Sequence, residues 1–179
     1  MEVKFKDKTT GLMHFNVMGR PGKIEEQYPD GSMQLFYLRP NGSLAKRQSF
    51  RKDKTLKSET LPALDNTAIT TVYGADGKTV VRTEQQWQDG AVETVTFRQD
   101  GRTPELRYKT LDKEGNKATL TTYDEAGKVV TVENIERDGN NGSCGDPMCH
   151  ECGGEMSISM TRYRADGSVW VKGQWNFSY

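Results

Sequence analysis

The sequence predicts an all-β protein, an antiparallel meander of repeated hairpins with very little helix. Three observations lead to this prediction. A turn of the Asp-Gly type recurs along the chain, the segments between turns alternate β-branched or aromatic residues with polar ones, and no segment carries an apolar stripe at helical spacing. The pattern fits either an open twisted sheet or a partly closed barrel.

The recurring turn is the strongest of these signals. Glycine readily adopts the positive φ that a tight hairpin turn requires, and Asp and Asn tolerate it better than most residues. Most neighbouring turns are about eleven to fourteen residues apart, which leaves room for one strand each. The predicted turns are Asp30-Gly31, Asn41-Gly42, Asp76-Gly77, Asp89-Gly90, Asp100-Gly101, Glu114-Gly115, Ala126-Gly127, Asp138-Gly139 and Asp166-Gly167.

The N-terminal half needs additional turns. Glu2 to Lys6 alternates like a strand, and Gly19-Arg20-Pro21-Gly22 is predicted to turn the chain. The interval from Gly42 to Gly77 is too long for one strand. We therefore predict a turn at Lys52-Asp53-Lys54 and an irregular loop at Leu61 to Asn66.

The C-terminal half contains two alternating strands, residues 91–97 and 129–135, and a final strand that includes Trp170. An insertion dense in Gly, Asn and Cys interrupts the array at 138–155. The whole chain, residues 1–179, is predicted to be a single β-repeat domain with this Cys-rich loop insertion.

Composition and charge limit the class of protein. Hydrophobic residues make up 34% of the chain and the mean hydropathy is -0.80, so we expect a thin or single-layer sheet. Lys+Arg and Asp+Glu both number 25 and are interspersed, which argues against nucleic acid or an anionic membrane as partner. No signal peptide or membrane span is visible, so we expect a cytoplasmic protein, with the mature part of an exported protein as the alternative.

One cysteine segment is a candidate metal site. Thiolate and imidazole are ligands that Zn²⁺ prefers, and Cys149-x-x-Cys152 has the spacing of half a zinc knuckle. The alternatives are a Cys149/Cys152 or Cys144/Cys152 disulfide, or reduced thiols on an exposed loop. A fourth ligand would be His150, which is poorly placed beside Cys149, or His14 if the fold brings it near. The candidate zinc ligands are Cys144, Cys149, Cys152 and His150.

We expect no enzymatic activity, because no recognisable catalytic motif occurs in the sequence. The strand carboxylates Glu84, Glu93 and Glu133 are expected on a solvated face, and the alternative is acid–base work in a cleft. The aromatic residues of the last strand either form core or present a contact surface for another protein. The candidate partner-binding residues are Trp170, Trp175 and Tyr179.

Three segments resemble known repeats: Tyr123-Asp124-Glu125-Ala126-Gly127-Lys128-Val129-Val130, Tyr73-Gly74-Ala75-Asp76-Gly77-Lys78 and Tyr163-Arg164-Ala165-Asp166-Gly167-Ser168. They are similar to the tyrosine-aspartate (YD, or Rhs) repeats and to the bacterial MORN-variant repeats, over roughly residues 24–175. Repeats of these families build curved sheets that enclose, carry or contact another protein. The resemblance therefore implies a non-enzymatic interaction or structural module with a protein partner. A small zinc-binding protein that uses the Cys144–Cys152 loop is the alternative.

Overall fold

The computed structural model describes residues 2–4, 9–63, 67–112, 116–139 and 155–178, with backbone alone in 2–4, 137–139, 155–158 and 175–178. The described residues form fourteen β-strands and no helix. The strands are β1 (Glu2–Lys4), β2 (Thr10–Phe15), β3 (Pro21–Gln27), β4 (Met33–Leu38), β5 (Leu44–Phe50), β6 (Leu56–Pro62), β7 (Ala68–Tyr73), β8 (Val80–Gln86), β9 (Val92–Phe97), β10 (Pro104–Thr110), β11 (Lys117–Tyr123), β12 (Val129–Gly139), β13 (Glu155–Arg164) and β14 (Val169–Ser178).

The strands follow one another in the sheet in the order of the sequence, so the topology is a meander. The consecutive pairs from β1 to β8 and from β10 to β14 are antiparallel. The order is linear and not closed, with β1 and β14 as its first and last strands. The predicted antiparallel hairpin meander is therefore confirmed in its open form. The described residues contain no helix that could cross a membrane.

The chain divides into two compact units. The first consists of Met1–Gln88 with Phe97–Arg102, and it contains β1 to β8. The second consists of Asp89–Thr96 with Thr103–Tyr179, and it contains β10 to β14 and most of β9. The single-domain organisation predicted for residues 1–179 stays a prediction.

Six of the hairpin turns in the described residues have three residues, not the two that the Asp-Gly signature suggests, and the turn between β7 and β8, closed by the Gly74 amide and the Thr79 carbonyl, has four. In the turn between β13 and β14, the Arg164 amide donates to the Ser168 carbonyl at 2.8 Å and the Gly167 amide donates to the Arg164 carbonyl at 2.9 Å. Gly167 has a φ of 83°. This is a type I turn followed by one left-handed residue, the usual three-residue hairpin loop. The same two bonds close the turns that begin at Asn16, Tyr28, Arg39, Arg51 and Asp124.

The Asp or Asn before the glycine therefore has a different role from the predicted one. Among the described residues, Lys54 is the only one other than glycine that has a positive φ, 69°. The Asp and Asn side chains instead accept the backbone N–H two residues further on, at 2.9–3.0 Å. The acceptors are Asp30, Asn41, Asp53, Asp76, Asp89, Asp100 and Asp166.

A β-bulge follows several of these turns. After the turn between β11 and β12, Tyr123 pairs with Val129 and Thr122 pairs with Thr131, which leaves Val130 without a register partner. A bulge of this kind bends the strand and re-aims the side chain of the extra residue. Equivalent extra residues are Gly22, Ala45, Lys57, Val81 and Trp170.

Little of the described part of the chain is core. Leu35, Ala91 and Ala118 are the buried hydrophobic residues within the described part of the chain. Apolar side chains such as Leu61 and Ile69, which pair across β6 and β7, stay exposed. A sheet without a second layer cannot bury either of its faces, so this result agrees with the thin sheet expected from the composition.

Three predicted boundaries were wrong. The first turn spans Asn16 to Arg20, and β3 already begins at Pro21. Leu61 and Pro62 belong to β6 because they pair with Ile69 and Ala68, so the first two residues of the predicted irregular loop are strand, while residues 64–66 lie outside the described residues. Asp138-Gly139 is not a turn, because β12 continues through it and pairs with residues 156 and 157 of β13. The predicted turn at Lys52-Asp53-Lys54 is confirmed.

Candidate functional site

The most distinctive surface of the second unit lies beside the β13–β14 turn. A shallow concavity of about 570 Å³ is lined by Val130, Arg164, Ala165, Asp166 and Trp170, which we call the Trp170 surface. Its residues come from two hairpins, since Val130 is the second residue of β12 and the others belong to the β13–β14 hairpin. Trp170 is 50% exposed.

Local backbone geometry positions Trp170. Val169 pairs with Tyr163 and Val171 pairs with Arg162, so Trp170 is the extra residue of a bulge. Val130 is the extra residue of the corresponding bulge on β12. The same irregularity in two hairpins thus directs one large apolar side chain from each toward a common concavity.

Two arginines hold the indole ring. The guanidinium carbon of Arg162 lies 5.5 Å from the Trp170 ring centre, and that of Arg164 lies 5.9 Å from it. Each contact has cation–π geometry, which contributes about 0.5–1 kcal/mol at an exposed site. Arg164 also donates to the Ser168 hydroxyl at 3.3 Å. The tryptophan is therefore both accessible and restrained.

A buried carboxylate lies behind this cluster. Glu133 is 5% exposed, and its Oε1 accepts from Nη2 of Arg162 at 2.5 Å. The two residues are register partners on β12 and β13, so they lie on the same face of the sheet. The expectation that Glu133 lies on a solvated face is wrong. A buried carboxylate needs a partner, because an unpaired buried charge costs roughly 3–5 kcal/mol.

The other two carboxylates considered for acid–base work also pair with arginines. Glu84 lies 2.8 Å from Arg82, and Glu93 lies 2.9 Å from Arg107. Lys109 approaches the same Glu93 oxygen at 3.9 Å. These side chains form ion pairs along or across strands.

The sequence neighbours of Val130 and Trp170 are also exposed apolar residues. Val129 and Val130 at the start of β12, and Val169 and Val171 in β14, are all exposed. Together with Trp170 they are five of the six exposed large hydrophobic residues in the described part of the second unit. Contiguous exposed apolar area rimmed by polar groups marks interaction sites more often than scattered exposed residues do.

A second concavity, of about 600 Å³, lies in the first unit near the turns at 28–32 and 51–55. Its lining is mainly polar and includes Asp30, Lys52 and Lys57. The Asp30 carboxylate accepts a hydrogen bond from the Ser32 hydroxyl. The Arg51 guanidinium donates to the carbonyls of Leu56 and Tyr73. These groups serve the turns and do not converge on a common point.

The structure separates the predicted site residues into three groups. Trp170 is described and lies on the surface defined above. Trp175 pairs with Ile158 in the β13–β14 ladder, but its side chain lies outside the described residues, as does the whole of Tyr179. Cys144, Cys149, His150 and Cys152 also lie outside them.

The zinc prediction stays a prediction, which the metal content of the purified protein tests. Within the described residues no three metal-ligating side chains come together. His14, considered as a fourth ligand, is exposed on β2 of the first unit.

Sequence reasoning missed the residues that restrain Trp170. Arg162 and Arg164 are separated from it by the turn, and Glu133 is on another hairpin. A signal for Arg164 was present, because an arginine also precedes the turns at Arg39, Arg51 and Arg98. The bulges at Val130 and Trp170 have no clear sequence signature.

The comparisons with known proteins give no family for this chain: no model of a protein family matches it, and no curated protein is significantly similar to it.

Proposed function

We propose that this protein is a non-enzymatic β-repeat module that binds another protein through the Trp170 surface. The observation that carries the proposal is a half-exposed tryptophan restrained by two arginines over a concavity that it shares with Val130. Tryptophan and arginine are the residues most enriched at the energetic centres of protein interfaces.

Restraint of the ring adds to this argument. A side chain that is already fixed loses little conformational entropy when a partner covers it, so more of the contact energy appears as affinity. The Arg162–Glu133 ion pair fixes one guanidinium, and Ser168 contacts the other. The repeat resemblance and the absence of a recognisable catalytic motif from the sequence point to the same class of function.

Photo-crosslinking in cells tests the proposal. A photo-reactive amino acid at position 130 should give a discrete cross-linked product with another protein, and Trp170→Ala should reduce its yield at least about tenfold. Val81 is the matched control, because it is the extra residue of the equivalent bulge in the first unit and is likewise exposed.

The two positions distinguish the outcomes. A product at position 130 that depends on Trp170, and no product at position 81, supports the module and its surface. Equal products at both positions would show non-specific contact. No product at position 130 would contradict the proposed surface.

A further inference from the structure

Strand β14 ends the sheet, so one of its edges has no partner among the described strands. Strand β14 has ten residues and pairs with β13 on one side, and no other described strand pairs with it. Each peptide group on the open side offers a donor or an acceptor to an incoming strand. Proteins usually protect such an edge with charges, proline, shortening or a covering segment.

The sequence of β14 carries little of this protection. Its single charged residue is Lys172, it contains no proline, and Val169, Trp170 and Val171 are exposed. These are residues with high β-propensity. An edge of this composition is suited to strand addition, in which main-chain hydrogen bonds give affinity and side chains on the neighbouring strand give specificity.

The charged residues near this edge favour one kind of incoming strand over others. Arg164 and Lys172 are exposed cations in the β13–β14 hairpin. Glu133 pairs with Arg162, and Asp166 is the one carboxylate among the described side chains of the hairpin, so Arg164 and Lys172 leave it with a net positive charge. A second copy of this hairpin would bring the same cations to the interface, which disfavours self-pairing. An acidic strand would meet complementary charge.

We infer that the partner binds as an extended acidic segment that adds to the free edge of β14, with its side chains beside Trp170 and Arg164. This inference rests on the proposed function and specifies the chemistry and geometry of the bound segment. The main chain of β14 supplies the hydrogen bonds, the Trp170 surface takes an apolar side chain, and Arg164 pairs with a carboxylate.

Synthetic peptides test the inference on the full-length protein by fluorescence anisotropy. The probe is a peptide about as long as β14 that alternates valine with glutamate. A second peptide has lysine in place of glutamate. A third retains the valine and glutamate side chains, but esters replace its backbone amides, so it cannot donate main-chain hydrogen bonds.

We expect the acidic peptide to bind at least about tenfold more tightly than either of the other two. Arg164→Ala should weaken its binding about two- to fivefold, the effect of one exposed ion pair, and this loss should shrink at high salt. Arg82→Ala is the control, because Arg82 is an exposed arginine of the first unit. Arg162 is unsuitable for this test, since its removal would leave Glu133 unpaired.

Four results would overturn the inference. Equal binding of the ester peptide would exclude strand addition, and equal binding of the lysine peptide would exclude an acidic segment. Absence of binding by all three would exclude both. A dimer of the protein that the acidic peptide does not dissociate would show that β14 pairs with itself. None of these results changes the cross-linking at position 130, which tests the proposed function separately.

Discussion

At the scale of single residues, the turn aspartates act as hydrogen-bond acceptors. Five of the turns add a second bond, in which a Ser or Thr hydroxyl donates to the same Asp or Asn side chain at 2.5–2.7 Å. The donors are Ser32, Ser43, Thr55, Thr79 and Ser168. A carboxylate that accepts several hydrogen bonds holds its proton weakly, because protonation would break them.

Asp76 should show this effect most clearly. Donation from the Thr79 hydroxyl, followed by the backbone N–H groups of Lys78 and Thr79, lowers its pKa from 3.8 to about 2. Because the folded pKa is the lower one, the stabilisation is complete above pH 3.8 and is lost as the pH falls toward 2. Thr79→Val should raise the pKa of Asp76 toward 3.8, measured by NMR titration of the carboxyl carbon. Thr121→Val in the second unit is the control, and an unchanged pKa in Thr79→Val would contradict the assignment.

Lys54 stands where the other turns have glycine, and its φ is 69°. A left-handed conformation costs a residue with a side chain about 1–2 kcal/mol, whereas glycine adopts it freely but loses more entropy on folding. Lys54→Gly should therefore increase the free energy of unfolding by about 0.5–1 kcal/mol, measured by urea denaturation. Lys52→Gly in the same turn, where φ is not positive, should be neutral or destabilising. A loss of stability in Lys54→Gly would show that its contact with the Gly31 carbonyl matters more than backbone strain.

At the scale of elements, turns on the same edge of the sheet contact each other. A β-carbon on Gly77 would lie 2.8 Å from the Leu56 nitrogen, and one on Gly101 would lie 3.0 Å from the Val80 nitrogen. Arginines also connect successive turns. Arg39 donates to the carbonyl of Leu44 in its own hairpin and to that of Pro62, the last residue of β6 before the next turn on that edge. Glycine is needed at such a contact for space as well as for φ.

A pair of glycine substitutions separates these two requirements. Gly42 has a φ of 84° and nothing within 4 Å of a β-carbon, so Gly42→Ala should cost about 1–2 kcal/mol from backbone strain alone. Gly77, with a φ of 67°, also meets backbone atoms, so Gly77→Ala should cost roughly 1–3 kcal/mol more. Urea unfolding of both variants measures the difference. Equal losses would mean that the stacked turns move apart without penalty.

At the scale of the whole molecule, the sequence identified the fold class and the order of the hairpins. Glycines at regular spacing and alternating strands were sufficient because both are local signals. The errors arose where pairing between strands decided the structure. Asp138-Gly139 has the chemistry of a turn, yet the ladder between β12 and β13 continues through it. The pairing of β12 with β13 therefore overrides the preference of an Asp-Gly pair for a turn.

The candidate site could be predicted only in part for the same reason. Trp170 was identified because the aromatic residues of the last strand divide between its two faces, which leaves some of them exposed unless they form core. Its neighbours Arg162 and Glu133 depend on the register between strands, and Val130 depends on a bulge in a different hairpin. Burial of Glu133 could not be foreseen, since its position on the alternating strand resembles that of solvated glutamates.

The contacts of the first unit also bear on how such a chain evolves. From β1 to β8, each strand contacts only the strands before and after it in the sequence. A protein with a central core cannot gain a strand without repacking that core, but an array of nearest-neighbour contacts has no such requirement. Tandem duplication of one hairpin, of about two dozen codons, would insert a unit whose turn fits those already present. Unequal recombination can therefore change the length of this protein by whole hairpins while the rest of the sheet stays intact.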